Sequence, residues 1–218
     1  MDLANFILDH FKEIIILLLE HIRIVVFSVS ISIITGVGIG LWITQHDRVA
    51  RLVLYVAGVA MTIPSVAMFG LLIPVLSRPP ICHGIGLVPA VVALVLYAQL
   101  PVIRNTYVSM KSIDPAVIET ARGLGMTRFQ ILRGIEFPLA VPVIMAGIRT
   151  SVVMNIGIAA IAAYIGAGGL GEYIFRGIAT TYRPMILAGS IFVSMLALGA
   201  DLLLGKLEKM LTPRGLRI

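Results

Sequence analysis

Residues 52–76 run for 25 positions without one charged side chain. No other feature of the sequence limits the fold as strongly. A helix needs about 20 apolar residues, at 1.5 Å of rise each, to cross ~30 Å of hydrocarbon. Comparable segments lie at residues 24–43, at about 85–103, from Pro142 to about Ile165, and from Met185 to about Gly205. In lipid every backbone N–H and C=O must be satisfied internally, and segments of this length do so as helices. The expectation is an all-α membrane protein with five transmembrane helices. Charged residues make up only 13% of the chain, where a soluble domain carries about a quarter.

The polar residues within these segments are few. Asp9, His10, Lys12 and Glu13 interrupt the first apolar stretch and leave residues 14–19 uninterrupted. That is too short to span, so residues 1–23 are expected to form an N-terminal interfacial segment. Gly36 and Gly40 form a GxxxG pair, which permits close helix packing. Pro64 and Pro74 fall inside the second span, and proline frees carbonyls that neighbouring helices or a wet cavity must satisfy. Thr62, Pro64 and Ser65 are therefore candidates for a kink beside a translocation path, with a kink made only for packing as the equal alternative. Gln99, Ser151 and Asn155 are the other path candidates. A helix–helix hydrogen bond accounts for each of them equally well.

Arg149 and Asp201 lie at similar depth on sequential spans, in the inner third of the membrane by antiparallel counting. A lone charge there costs a few kcal/mol. Pairing offsets that cost, as does snorkelling of Arg149 toward the headgroups with Asp201 at a wet interface.

Between the third and fourth spans the chain turns polar and arginine-rich. Asp114 before Pro115 reads as an N-cap followed by proline at the first helical position. Gly123 and Gly125 suit a helix end that needs left-handed backbone. Thr127 with Gln130 three residues on is a capping box, so a second helix is expected to start at once and to stop before Pro138. Two short helices joined at a glycine elbow form a knob, the loop being about residues 112–138.

Placing this loop inside puts Arg48, Arg51, Arg104, Lys111, Arg122, Arg128, Arg133, Arg149, Lys206, Lys209, Arg214 and Arg217 on the cytoplasmic side, twelve of the 17 cations. The positive-inside rule then chooses N-terminus out and C-terminus in, with residues 208–218 a cytoplasmic tail after a transmembrane domain at 24–207. The net charge of +6 follows from bilayer topology, and no nucleic-acid partner is expected. Cys82 is the single cysteine, so an intrachain disulfide and a cysteine metal cluster are excluded. His10, His21, His46 and His83 have no carboxylates at ligand spacing, so no metal is expected. The chain has no G-x-x-x-x-G-K-[ST] run to cradle nucleotide phosphates. Residues 166–171 fit G-x-G-x-x-G but follow a membrane span and lack a βαβ context, and they read as a flexible external turn. No catalytic constellation and no cofactor are expected.

The central loop carries a resemblance. Glu119-Thr120-Ala121, Gly125, Ile135 and Phe137-Pro138 resemble, in spacing, the EAA loop of ABC-importer permeases, roughly E-A-A-x3-G-x9-I-x-L-P. Thr120 and Phe137 depart from it, standing for alanine and leucine. The resemblance extends from about residue 24 to 207 and implies the type I ABC-importer permease fold, in a bacterial cytoplasmic (inner) membrane. It implies that Glu119, Thr120, Ala121, Arg122, Gly125, Arg128, Ile135 and Pro138 dock into a cleft on a cytoplasmic ABC ATPase subunit, which binds the ATP. In that reading Ala121 is small so that the helix enters the cleft. The arginines pair with acidic groups there or are solvated. An extracytoplasmic substrate-binding protein and a second permease subunit, identical or related, are the other implied partners besides membrane lipid.

Thr62-Ile63-Pro64-Ser65, Leu94-Val95-Leu96-Tyr97, the run at 101–107, the run at 142–150 and the glycine-rich turn are most similar to the osmoprotectant branch, which imports glycine betaine, carnitine or choline. Methionine or other amino-acid importers are the alternative substrate class. A stand-alone channel or scaffold is the competing function. Only 7% of the residues are aromatic, so cation–π recognition of a quaternary ammonium is expected on the separate binding protein.

Overall fold

A computed structural model of the protein describes residues 2–79 and 84–212. Within them the chain is helical throughout: α1 (Leu3–Asp9), α2 (Phe11–Ile43), α3 (Asp47–Thr62), α4 (Ser65–Leu76), α5 (Leu87–Lys111), α6 (Pro115–Gly123), α7 (Arg128–Ile131), α8 (Phe137–Ala162), α9 (Gly171–Ala179) and α10 (Arg183–Leu211). Four helical stretches are long and apolar enough to cross a membrane, and α3 with α4 makes a fifth when read as one broken span. Cys82, His83, Arg214 and Arg217 lie outside the described residues, as does most of the expected tail.

Helix α5 occupies the centre, packed between α2 and α8. Its small side chains make this possible: Ala90, Ala93 and Ala98 are wholly buried. The GxxxG pair of α2 faces this helix. A Cβ on Gly36 would stand 2.7 Å from Val102 Cγ1, and one on Gly40 would stand 2.6 Å from Thr106 Cβ. Only the missing side chains let the two backbones come so close. Helix α10 is the most peripheral, with Leu187, Ile191, Met195, Leu198, Leu202 and Leu203 exposed. In water such a face would be anomalous, whereas lipid covers it without cost.

The structure departs from sequence expectation in four places. Residues 11–43 form one unbroken helix, so nothing separates the first span from the segment expected to lie at the interface. Ile14, Leu17, His21 and Ile24 are buried while Lys12, Glu13, Glu20 and Arg23 are exposed. The charges fall on one face of a 3.6-residue period, and so they mark the exposed stripe of a helix and not its end.

The second departure is the size of the kink in the second apolar run. The axes of α3 and α4 differ by 104° across Ile63-Pro64. The backbone is extended at Ile63 between the two helices, which leaves its carbonyl outside either ladder, and that carbonyl accepts from the Tyr97 hydroxyl on α5. The break is held by a neighbouring helix, as the lipid environment demands.

The third lies at Pro138, where helicity continues. The turn Leu132–Glu136 widens into a π-helix and leads directly into α8. A proline ring collides with the carbonyl four residues back, here Gly134, and the wider turn accommodates it. Residues 128–165 are thereby one continuous helical stretch.

Finally, the glycine-rich turn expected to be flexible is pinned. Gly169 N–H donates to Glu20 Oε2 at 3.1 Å, and Leu170 and Tyr173 enter an apolar cluster with Phe6, Ile14 and Leu17.

Candidate functional site

The knob between α5 and α8 is built by local chemistry. Asp114 accepts from Ala116 N–H at 2.9 Å and caps α6, with Pro115 in its first turn. Acid at the start and Arg122 in the last turn both suit the helix macrodipole. After α6 the chain reverses at Gly125, whose φ is +79°. Its N–H donates to the Arg122 carbonyl at 2.9 Å, and Met126 N–H donates to the Ala121 carbonyl at 3.1 Å. Thr127 N–H then donates to Gln130 Oε1 at 2.8 Å while Gln130 N–H donates to Thr127 Oγ1 at 3.4 Å, closing the capping box that starts α7.

Glu119, Thr120, Arg122, Gly125 and Arg133 are exposed on this knob, and Ile135 and Pro138 are half-buried at its base. Ala121 differs from expectation. It is 2% exposed and so faces its own chain. Its carbonyl accepts the Met126 N–H that closes the turn after α6. The Thr120 hydroxyl is likewise committed, to the Ala116 carbonyl at 2.8 Å. Sequence reasoning missed the two large apolar side chains at the tip, Leu124 at 78% and Phe129 at 67% exposure. The signal was present: a leucine and a phenylalanine inside the most polar loop of the chain need a reason to be there. Beneath Phe129 a cavity of about 420 Å³ is lined by Leu41 and Trp42 from the end of α2, Thr44 and Gln45 just after it, Met110 from α5, and Arg128 and Leu132.

Arg128 is not free for a partner's acid either. Its Nη1 bonds Glu136 Oε1, and Glu136, only 7% exposed, was absent from the sequence-based candidates. On the neighbouring side the Lys111 Nζ lies 2.9 Å from Asp47 Oδ1, joining the end of α5 to the start of α3. Both of these groups are well exposed, so this pair contributes little.

The path candidates divide. Ser151 and Asn155 are fully buried between helices. Ser151 Oγ donates to the Gly147 and Ala98 carbonyls at 3.0 and 3.3 Å, and Asn155 Nδ2 donates to the Leu94 carbonyl at 3.2 Å. The helix–helix hydrogen bond, one of the two readings open for them, is made in both cases and joins α8 to α5. Gln99 Nε2 donates to Thr35 Oγ1 at 2.8 Å, joining α5 to α2. Thr62 and Pro64 are exposed and Ser65 half-buried at the break of the bent span. His21, also buried, bonds the Ile156 carbonyl at 3.0 Å.

Arg149 and Asp201 meet in a two-pronged pair. Arg149 Nε bonds Asp201 Oδ1, and Nη2 donates to Oδ2 at 2.6 Å. Glu208 Oε2 lies 3.7 Å from Nη1. Parallel N–H···O contacts of this kind are the strongest geometry available to a guanidinium. Among the described residues no three His, Cys, Asp or Glu side chains gather as a metal site.

Comparison with known proteins adds to this geometry. Residues 32–214 match the family described as binding-protein-dependent transport system inner membrane component. An osmoprotectant import permease protein, OsmW, from Salmonella typhimurium is 46% identical over the full length of both chains. The glycine betaine/carnitine/choline transport system permease protein OpuCB of Bacillus subtilis is 41% identical over 91% of this chain and 88% of its own. Among solved structures, the inward-facing methionine ABC transporter MetNI superposes with a TM-score of 0.80 at 20% identity, covering 92% of this chain and 96% of that one. An amino-acid ABC transporter solved with histidines gives 0.75 at 20% identity, over 96% and 99%. At that identity the likeness speaks to the fold, which is that of type I ABC-importer permeases.

Proposed function

The chain belongs to the family of binding-protein-dependent transport system inner membrane components, and from that premise we propose that it is the permease of an osmoprotectant importer driven by a separate ATPase. It is a multi-pass inner-membrane protein. The observation that carries the mechanism is the exposed knob at residues 115–131, capped at both helix starts and turned at Gly125. Its surface combines Glu119, Arg122 and Arg133 with Leu124 and Phe129. Apolar anchors with a charged rim are what a groove on another protein binds. The occupant of that role is a cytoplasmic ABC ATPase, and the knob is its coupling element. Orientation follows from the cations: the loop and C-terminus inside, the N-terminus outside.

Substrate assignment rests on the relatives. Those at 40–46% identity over most of the chain carry the names osmoprotectant, glycine betaine, carnitine and choline. A trimethylammonium compound is delivered by an extracytoplasmic binding protein and passes between this chain and a second permease subunit. The exposed break at Thr62–Ser65 supports a path on that face, because non-helical backbone at membrane depth requires water or protein beside it. The methionine and amino-acid importers share the fold only, and for that reason are the second reading. Uptake of labelled glycine betaine by cells that depend on this system, under osmotic stress, is the expected result. Uptake that follows methionine and ignores glycine betaine contradicts the assignment.

A further inference from the structure

The coupling knob must move something when its partner moves it, and a hinge of two glycine-flanked helices would absorb the motion. The structure contains a feature that prevents this. Arg128 is the first residue of α7, directly after the Thr127 cap, and reaches along the chain to Glu136, the last residue of the π-turn before α8. Glu136 is buried, whereas about half of the Arg128 side chain is exposed. The second carboxylate oxygen, Oε2, is also buried and has no hydrogen-bond partner. A charge held in this way is costly to bury and strongly dependent on its single partner. It also spans the π-turn Leu132–Glu136, where the helix entering α8 departs from α-helical geometry. Such π-turns recur at functional positions.

We infer that Glu136, held by Arg128, is a positioning residue that locks the knob to α8, so that displacement of the knob is delivered to the membrane helix instead of being lost in the π-turn. The lock acts on α8 through packing. Ala140, one turn beyond Glu136, is buried in a cluster with Val102 of α5 and with Ile144 and Ile148. The same helix carries Ser151 and Asn155, bonded to α5, and Arg149, bonded to Asp201 of α10. A push at Glu136 therefore reaches the bundle through a rigid element. The inference rests on the coupling-knob reading of the previous subsection.

The test uses the intact complex, co-purified with its ATPase and binding protein and reconstituted in liposomes. ATP hydrolysis and labelled glycine betaine uptake are measured on the same preparation. Glu136→Gln keeps the shape and removes the charge. Its expected effect is a fall of roughly fivefold or more in substrate moved per ATP, the scale of an allosteric coupling, with ATPase still bound and hydrolysing. The swap Arg128→Glu with Glu136→Arg is expected to restore at least part of that ratio. Unchanged transport per ATP in Glu136→Gln overturns the inference. Should that variant fail to assemble, Arg128→Met with Glu136→Leu removes the pair without leaving a buried charge. A normal ratio in that double variant also overturns it, and a lowered one supports it. Failure of the knob assignment itself is distinguishable, because uptake would then also survive Gly125→Val at the elbow.

Discussion

Arg149 and Asp201 show how far single residues can be read. Their depths are countable from the flanking prolines and lysines, so proximity is legible in the sequence. The two-pronged geometry is not, since it depends on how α8 and α10 rotate about their axes. Glu208, 3.7 Å from the same guanidinium, completes a cluster that counting alone does not identify. A double-mutant cycle with Arg149→Met, Asp201→Leu and both together is expected to give a coupling on the order of 0.5–3 kcal/mol in thermal stability of the purified complex. Strictly additive losses would mean that the contact contributes nothing. Ala121 illustrates the opposite case. A small residue in a coupling motif suggests a partner's cleft, and only the fold shows its side chain buried within the chain. The pairing of Arg128 with Glu136 is not legible in the sequence for a simpler reason. They lie eight residues apart on either side of an expected helix stop, and the π-turn that carries the helix past Pro138 leaves no sequence signature.

At the level of elements, the caps are the most legible features. Asp114, Thr127 with Gln130, and Gly125 each act within three residues of themselves, and local hydrogen bonding decides their structure. The bend between α3 and α4 is different. Pro64 announces a kink, but its 104° is maintained by Tyr97, 34 residues away in sequence. Tyr97→Phe is therefore expected to destabilise the break by about 1 kcal/mol, the value of a hydrogen bond to an otherwise orphaned carbonyl. Hydrogen exchange should then rise at residues 63–68 with little change in α8. Exchange that stays flat in that segment would mean that the carbonyl finds another donor. Residues 11–43 form one helix although charges interrupt the hydropathy profile near its start, because those charges fall on a single helical face.

For the whole molecule, span count and charge bias are set by the bilayer and needed no structure to be read. The partners of the polar span residues needed it. Ser151 and Asn155 are buried in α8, and each donates to a carbonyl of α5. The chain thus combines a rigid α2–α5–α8 core with a capped knob on one side and a broken span on another face. That arrangement suits a subunit that receives force at the knob and opens a route elsewhere. The central claim is that the knob transmits the work of a separate ATPase, and Gly125 tests it most directly. A side chain there meets open space, so the cost of Gly125→Val is left-handed backbone strain, about 1–2 kcal/mol, confined to the elbow. In the reconstituted complex, ATP-driven uptake of labelled glycine betaine is expected to collapse in Gly125→Val while the permease remains inserted and folded. Uptake at the unmodified rate would contradict the account.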